Sequence, residues 1–494
     1  MSSDDLTTEP SWTVVGEAQL ARNEERTDTK VLSGTMRPRK VTTSLLSFFV
    51  IYAAALAVCL EISSPGHSPF NYYLTVVWTL YLPVGLMGLA GVLVSRVRRG
   101  PTIDLSSFEG QTDKKVVIVL PTLGKPGNLN ALKRVIGSIL EHGPRNLSDF
   151  RVDVVIDEGP DLEPLYSWLG ETSLVRVVVV PSGYRTPLGA KYKTRANQYA
   201  LEFRRSEGEN TKDVMVYHLD DDTHVGRDTI ASIAEFAELY SEEYYLAQGI
   251  LTFPHQLSPS WFSRMADSIR PAGDIAQFTL FTGVLGTPMV GLHGEHLLVR
   301  GDIEEEIGWD FPETIVEDAY FALEFCKLHR GRARMLNSYS YGASPATVID
   351  LVRQRRRWSE GLFRLVFERS LPWKTKLPLA YSVICWSLAP FQFVGLVWLT
   401  SQLLGIGNTS PIAQGFVTGW SMVFTVVLWQ YLEGLKINLS VSGASRARYY
   451  CHAPLMLPLL YVFGIVEGLG GVLGLIRFCG VGRHKVFEVI NKPL

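Results

Sequence analysis

The sequence predicts an α/β domain of alternating strands and helices, set between apolar segments long enough to enter a lipid bilayer. Three observations carry that prediction. First, four short Val/Ile-rich runs, residues 116–120, 152–156, 175–180 and 214–219, are each followed at once by Pro or Asp, the pattern of strands buried on both faces. Second, Leu129, Leu132, Val135, Ile136, Ile139 and Leu140 recur at helical spacing between the first two runs, and residues 195–203 read as a helix before the fourth. Third, the long charge-free stretches lie toward the two ends of the chain.

The alternation of strand and helix specifies a doubly wound sheet, in which ligands bind beyond the carboxyl ends of the strands. The chain has 494 residues, 47% of them hydrophobic, with a mean hydropathy of +0.12. A net charge of -2 argues against a nucleic-acid partner. The five cysteines, Cys59, Cys326, Cys385, Cys451 and Cys479, are scattered singly, which suits a reducing compartment or a bilayer and not a disulfide framework.

Residues 1–40 are polar and mixed in charge, and read as a flexible cytosolic tail. Residues 41–60 and 70–95 carry no charge, and each is long enough to cross a hydrocarbon core of about 20 residues. They predict a transmembrane hairpin over 41–99. Arg37, Arg39 and Lys40 before it and Arg96, Arg98 and Arg99 after it place both flanks in the cytosol. The α/β domain then spans 100–345, followed by interfacial helices over 346–376. Residues 377–432 are again uncharged, with Gly405, Gly407, Asn408 and Pro411 supplying a turn, so 377–434 predicts a second hairpin. Residues 435–494 hold a further apolar stretch with Pro454, Pro458 and Glu467, flanked on both sides by arginines. Positive charge at both ends favours a re-entrant or doubled segment, with a plain span as the alternative. The expectation is a multi-pass integral membrane protein whose globular domain faces the cytosol.

The polar residues cluster where the strands end. Asp220, Asp221 and Asp222 close the fourth run, and three adjacent carboxylates repel one another unless a cation joins them. Hard Mg2+ or Mn2+ takes one or two such carboxylates and leaves positions for diphosphate oxygens; a solvated acidic turn is the competing explanation. Asp157 ends the second run, where a carboxylate can hold a nucleotide, and Pro121 closes the first. Lys191, Lys193 and Arg195 alternate just before a helix, as a phosphate-binding cluster or as a solvated helix start. Glu317 and Asp318 form an acidic pair among apolar residues, where partial burial raises a carboxyl pKa toward that of a general base. Gln354, Arg355, Arg356, Arg357 and Trp358 precede the second uncharged stretch. Positive-inside placement accounts for the arginines but not for the Gln and Trp.

Taken in order, Asp157, Asp220–Asp222, Glu317–Asp318 and Gln354–Trp358 resemble the D, DxD, ED and QxxRW series of family 2 glycosyltransferases. The flanking apolar segments resemble those of membrane β-glycan synthases. Within the family, the stretches VVPSGYRTPLGAKYKTRANQYALE, QGILTF, WFSRMADSIRPAGDIAQ, SPATVIDLVRQRRRWSEGL and GRHKVFEV are most similar to the Egghead-type β-1,4-mannosyltransferases.

The resemblance implies a GT-A catalytic domain and an inverting, metal-dependent transfer of a sugar. Asp157 would contact the nucleotide, with Pro121, Lys193, Asp220, Gln354 and Arg357 also on the donor. Asp220 and Asp222 would hold Mg2+ or Mn2+; Asp318 would be the base and Glu317 its support. Trp358 would line the acceptor channel; the segment 291–296 departs from the relatives, and its His293 and Glu295 are read as further acceptor residues. His293 and His296 are either an extra ligand pair or hydrogen-bonded loop histidines. The implied donor is GDP-mannose, with a UDP-sugar the alternative, and the implied acceptor is a lipid or a glycan among membrane lipids. A processive β-glycan synthase and an inactive transferase-like transport or scaffold protein are the competing readings.

Overall fold

The computed structural model describes residues 41–64, 69–99, 102–103, 105–169, 173–388, 404, 412–413 and 417–480. The predicted tail 1–40, the predicted turn around 405–411 and the terminal GRHKVFEV lie outside the described residues.

All four predicted strands form: β1 (Lys115–Thr122), β2 (Phe150–Asp157), β3 (Val175–Val180) and β4 (Val214–His218). They pair in parallel in the order β3-β2-β1-β4. The helices α1 (Leu45–Ile62) and α2 (Pro69–Arg99) precede them; α3 (Pro126–His142) and α4 (Tyr192–Ser206) cover opposite faces. Alternate residues explain how. Val116, Ile118 and Leu120 face one core with Leu132, Val135 and Ile136 of α3, whereas Val117 and Val119 face another with Tyr199, Ala200 and Phe203 of α4. A strand with no polar face requires a cover on each side.

Beyond β4 the sheet departs from the doubly wound expectation. It continues through β5 (His224–Val225), β6 (Leu246–Thr252), β7 (Leu297–Arg300) and β8 (Ala333–Tyr341) in the order β4-β7-β6-β8-β5. Here β7 runs antiparallel to both β4 and β6, so the eight-stranded sheet is mixed. The remaining labelled helices are α5 (Arg227–Leu239), α6 (Glu317–Leu328), α7 (Val348–Val366), α8 (Trp373–Ser387), α9 (Val417–Val441) and α10 (Arg446–Phe478).

Where described, the flanking apolar segments are mainly helical. α1 and α9 lie side by side, with Phe48 edge-on to Trp429 at 5.8 Å between ring centroids. α9 then presses onto the segment after β6: a Cβ on Gly434 would stand 1.5 Å from the Ser268 carbonyl oxygen, so only glycine fits this approach. Among the described residues one helix, α10, is by itself long and apolar enough to cross a membrane. It is one continuous helix of 33 residues, with Pro454 and Pro458 inside it.

Candidate active site

The register of β4 and β7 assembles the site. Leu297 pairs with His218 in antiparallel alignment, so the residues just before β7 come alongside those just after β4. The segment Gly294–His296 therefore lies beside Asp220–Asp222, 70 and more positions away in the chain. The β4 end is anchored below by a buried cluster: Glu304 Oε1 accepts hydrogen bonds from His218 Nε2 at 2.8 Å and from Trp309 Nε1 at 2.7 Å. Burial opposes the Glu304 charge, but Arg204 and His218 hold its carboxyl down at about 2.

A single cavity of about 450 Å³ is lined by Pro121, Asp157, Lys193, Asp220, Asp222, His293, Glu295, Glu317, Asp318, Gln354, Arg357 and Trp358. The residues implied for the donor, acceptor, metal and base thus border one space, while Lys191, Arg195, His296, Arg355 and Arg356 are not in its lining. The three aspartates divide. Asp221 turns toward the β1 end, where Thr122 Oγ1 donates to its Oδ2 at 2.6 Å and Asn128 Nδ2 at 3.4 Å. Asp220 and Asp222 instead gather with Glu295, each offering an oxygen, all within 4.8 Å of one another. Three hard oxygen ligands in that space fit Mg2+ or Mn2+. Glu295, expected on the acceptor, thereby stands with the metal-type acids; Thr223 Oγ1 donates to its Oε2, and Arg270 lies 3.5 Å from its Oε1.

The acidic pair opens α6, where the helix N-terminus favours negative charge. Asp318 Oδ1 accepts from Ala319 N at 2.7 Å and Oδ2 from Gly294 N at 2.8 Å. Burial nevertheless pushes Glu317 and Asp318 above the usual carboxyl range, against the pull of Lys193. Burial also works against the Lys193 charge, yet Asp220, Glu317 and Asp318 keep its ammonium above its ordinary value. Its Nζ pairs with Asp220 and donates to the Gly294 carbonyl at 2.9 Å. The predicted basic cluster is thus tied to acids throughout: Lys191 pairs with Glu313 at 3.1 Å and Arg195 with Asp157.

On α7, burial lowers the Arg357 guanidinium below its ordinary value, with Glu317, Asp220, Asp318 and Asp222 opposing that shift. It is a fixed cation facing both acid groups. The loop histidines hydrogen-bond separately. His293 Nε2 meets Asp274 Oδ1 at 2.7 Å, and its ring stacks on Phe278 at 4.5 Å. His296 is buried against Tyr217 Oη at 2.8 Å, and burial lowers it to about 3. They form no ligand pair.

Sequence reasoning missed Arg270 and Trp386, which also line the cavity. The Arg270 guanidinium lies 4.7 Å from the Phe253 ring centroid and 5.0 Å from that of Trp358. The signal was present: Arg270 and Asp274 are the charged residues of an otherwise uncharged run over 268–301 apart from Glu295 and Arg300.

The sequence model described as "Glycosyl transferase family group 2" matches residues 215–465. The chain belongs to that family. This family 2 glycosyltransferase is similar to the β-1,4-mannosyltransferase egh of Drosophila melanogaster, at 24% identity over 351 residues, covering 70% of this chain and 72% of that protein. It is similar also to the β-1,4-mannosyltransferase bre-3 of Caenorhabditis elegans, at 26% identity over 357 residues with the same coverage, 70% and 72%. Among solved structures, the mannosyltransferase PcManGT from Pyrobaculum calidifontis, in complex with GDP-Man and Mn2+, aligns with a TM-score of 0.44 at 12% identity over 87% of this chain and 99% of that one.

Proposed function

We propose that this glycosyltransferase moves mannose from GDP-mannose, in β-linkage and with inversion, onto a lipid-linked or glycolipid acceptor at the cytosolic face of a membrane. The observation that carries the reading is that Asp220, Asp222, Asp318 and Arg357 border one cavity, giving a site for a diphosphate and a separate base. The choice of mannose rests on the relatives, each named a β-1,4-mannosyltransferase.

Asp318 accepts the proton of the acceptor hydroxyl, whose oxygen bonds to the sugar C1 as the C1–O bond to the diphosphate breaks. The electron pair of that bond leaves on the nucleoside diphosphate. The raised Asp318 carboxyl suits this proton transfer, because a base works best with a pKa near the working pH. Arg357 and Lys193 supply positive charge to the leaving group. Asp220 and Asp222, with Glu295, would hold a divalent cation, which neutralises diphosphate charge when bound. Asp157 sits at the nucleotide end, and Trp358 offers a sugar-sized aromatic face.

The test is purified full-length protein in lipid nanodiscs, a panel of labelled nucleotide sugars, native membrane lipids, and mass analysis of the labelled product. A single mannose on lipid, made from GDP-mannose and lost in excess chelator, is expected. Labelling from a UDP-sugar alone, or a polymer, overturns the donor or the single-addition reading. Unchanged turnover in chelator removes the metal.

A further inference from the structure

α10 carries one acid, Glu467, within its apolar run, where an unpartnered carboxylate would be costly. The structure shows what holds it. Glu467 Oε1 accepts from Arg355 Nε at 2.7 Å and Oε2 from Trp386 Nε1 at 3.1 Å. Arg355 is buried, with 3% of its side chain exposed. It also donates through Nη2 to Asp267 Oδ1 at 2.6 Å and through Nη1 to Gln354 Oε1 at 2.7 Å, and its guanidinium lies 4.7 Å from the Trp358 ring centroid.

Gln354, Trp358 and Trp386 all line the cavity, while Arg355 and Glu467 do not. The pair is therefore one layer behind the site and joined to three of its walls. The helices that carry it are packed without slack. A Cβ on Gly470 would lie 2.4 Å from Arg355 Cβ, and one on Gly474 would lie 2.7 Å from Ser359 Cβ; Ser359 Oγ donates to the Gly471 carbonyl at 3.1 Å. Gly470 and Gly474 share the Glu467 face at helical spacing. Any shift of α10 along or away from α7 must move Arg355, and with it the indole and amide groups at the cavity wall.

We propose that Arg355 and Glu467 are positioning residues, which tie α10 to the cavity and fix Trp358 and Trp386 as the wall against which the acceptor rests. The acceptor role of that wall rests on the function proposed above; the mechanical coupling does not. Charge balance alone does not require Glu467, because Asp267 already matches the Arg355 charge. Glu467→Gln therefore leaves no unbalanced buried cation, so the fold persists while the tie is weakened.

The experiment uses the full chain in phosphatidylcholine nanodiscs, wild type against Glu467→Gln and the shorter but charged Glu467→Asp. In Glu467→Gln, acceptor KM should rise about tenfold, the loss of one charge-assisted hydrogen bond, with donor KM and kcat held within about twofold of wild type. Glu467→Asp should recover part of that loss. Hydrogen exchange should quicken in α7 and α8 and not in β1–β4. An unchanged acceptor KM, or equal losses in both KM values and kcat, overturns the assignment. Should the wild type transfer no sugar, the functional reading fails, and hydrogen exchange alone decides the coupling: unaltered exchange in α7 and α8 overturns it.

Discussion

Replacing Asp318 by Asn removes the proposed base while nearly conserving shape. The wild-type carboxylate accepts one backbone N–H on each oxygen, from Ala319 at 2.7 Å and from Gly294 at 2.8 Å. Asn can satisfy only one of them, because its amide nitrogen turns a donor toward the other N–H. The resulting unpaired group costs about 1–3 kcal/mol, enough to lower the unfolding midpoint without unfolding the protein. The kinetic cost is larger: a positioned general base contributes about 10²–10⁴-fold, and kcat should fall by that factor. GDP-mannose affinity, measured by calorimetry, should stay near wild type, since Arg357 on α7 and the acids after β4, proposed for the diphosphate, are untouched. Because burial raises the Asp318 carboxyl, wild-type turnover should climb as pH rises through that raised value, and Asp318→Asn should lack the limb. Wild-type kcat in Asp318→Asn, or an unaltered pH limb, refutes the base assignment.

Asp222→Asn removes one of the three gathered carboxylates; Mn2+ affinity, read by electron paramagnetic resonance on the protein without donor, should weaken about tenfold or more, roughly 1.4 kcal/mol, and equal affinity would dismiss this acid group as the cation site. Arg355→Leu strands Asp267 and Glu467 as buried unpaired acids, a loss of about 3–5 kcal/mol that denaturant unfolding in detergent should register; wild-type stability would show the network to be dispensable. Asp228 accepts from Tyr339 N at 2.8 Å and Tyr341 Oη at 2.9 Å, yet burial pushes it from 3.8 up to about 6. The folded state then binds this proton more tightly than the unfolded chain, so its stabilisation is full at low pH and is lost as pH rises toward about 6. That loss is about 3 kcal/mol at 1.36 kcal/mol per unit. Unfolding of wild type should show it, Asp228→Asn should not, and equal slopes would refute it.

The parallel half of the sheet was legible because each strand is a bilaterally buried apolar run closed by Pro or Asp, a local pattern. Helices α3 and α4 were legible through their apolar spacing, and the acids after β2 and β4 through their place at strand ends. The antiparallel half was not. β7 is four residues long, and its neighbours are set by pairing partners from distant parts of the chain, which local periodicity does not encode. Glu295 shows the consequence: it was expected on the acceptor, but the Leu297–His218 register carries it to Asp220 and Asp222.

By itself, then, the sequence determined the four parallel strands and helices α3 and α4, which residue types stand at those strand ends, and which family the chain resembles. Strands, helices and strand ends are local properties, set by side-chain spacing between near neighbours, and the resemblance rests on short motifs in a fixed order from Asp157 to Trp358. Tertiary structure alone decided that Glu295 joins the metal-type acids, that Lys193 lies between Asp220 and Glu317 with Arg357 lining the same cavity, and that Glu467 answers Arg355 across 112 residues. Coulomb attraction and desolvation act through space, so those charges found their partners only when the sheet and the helices had brought them together.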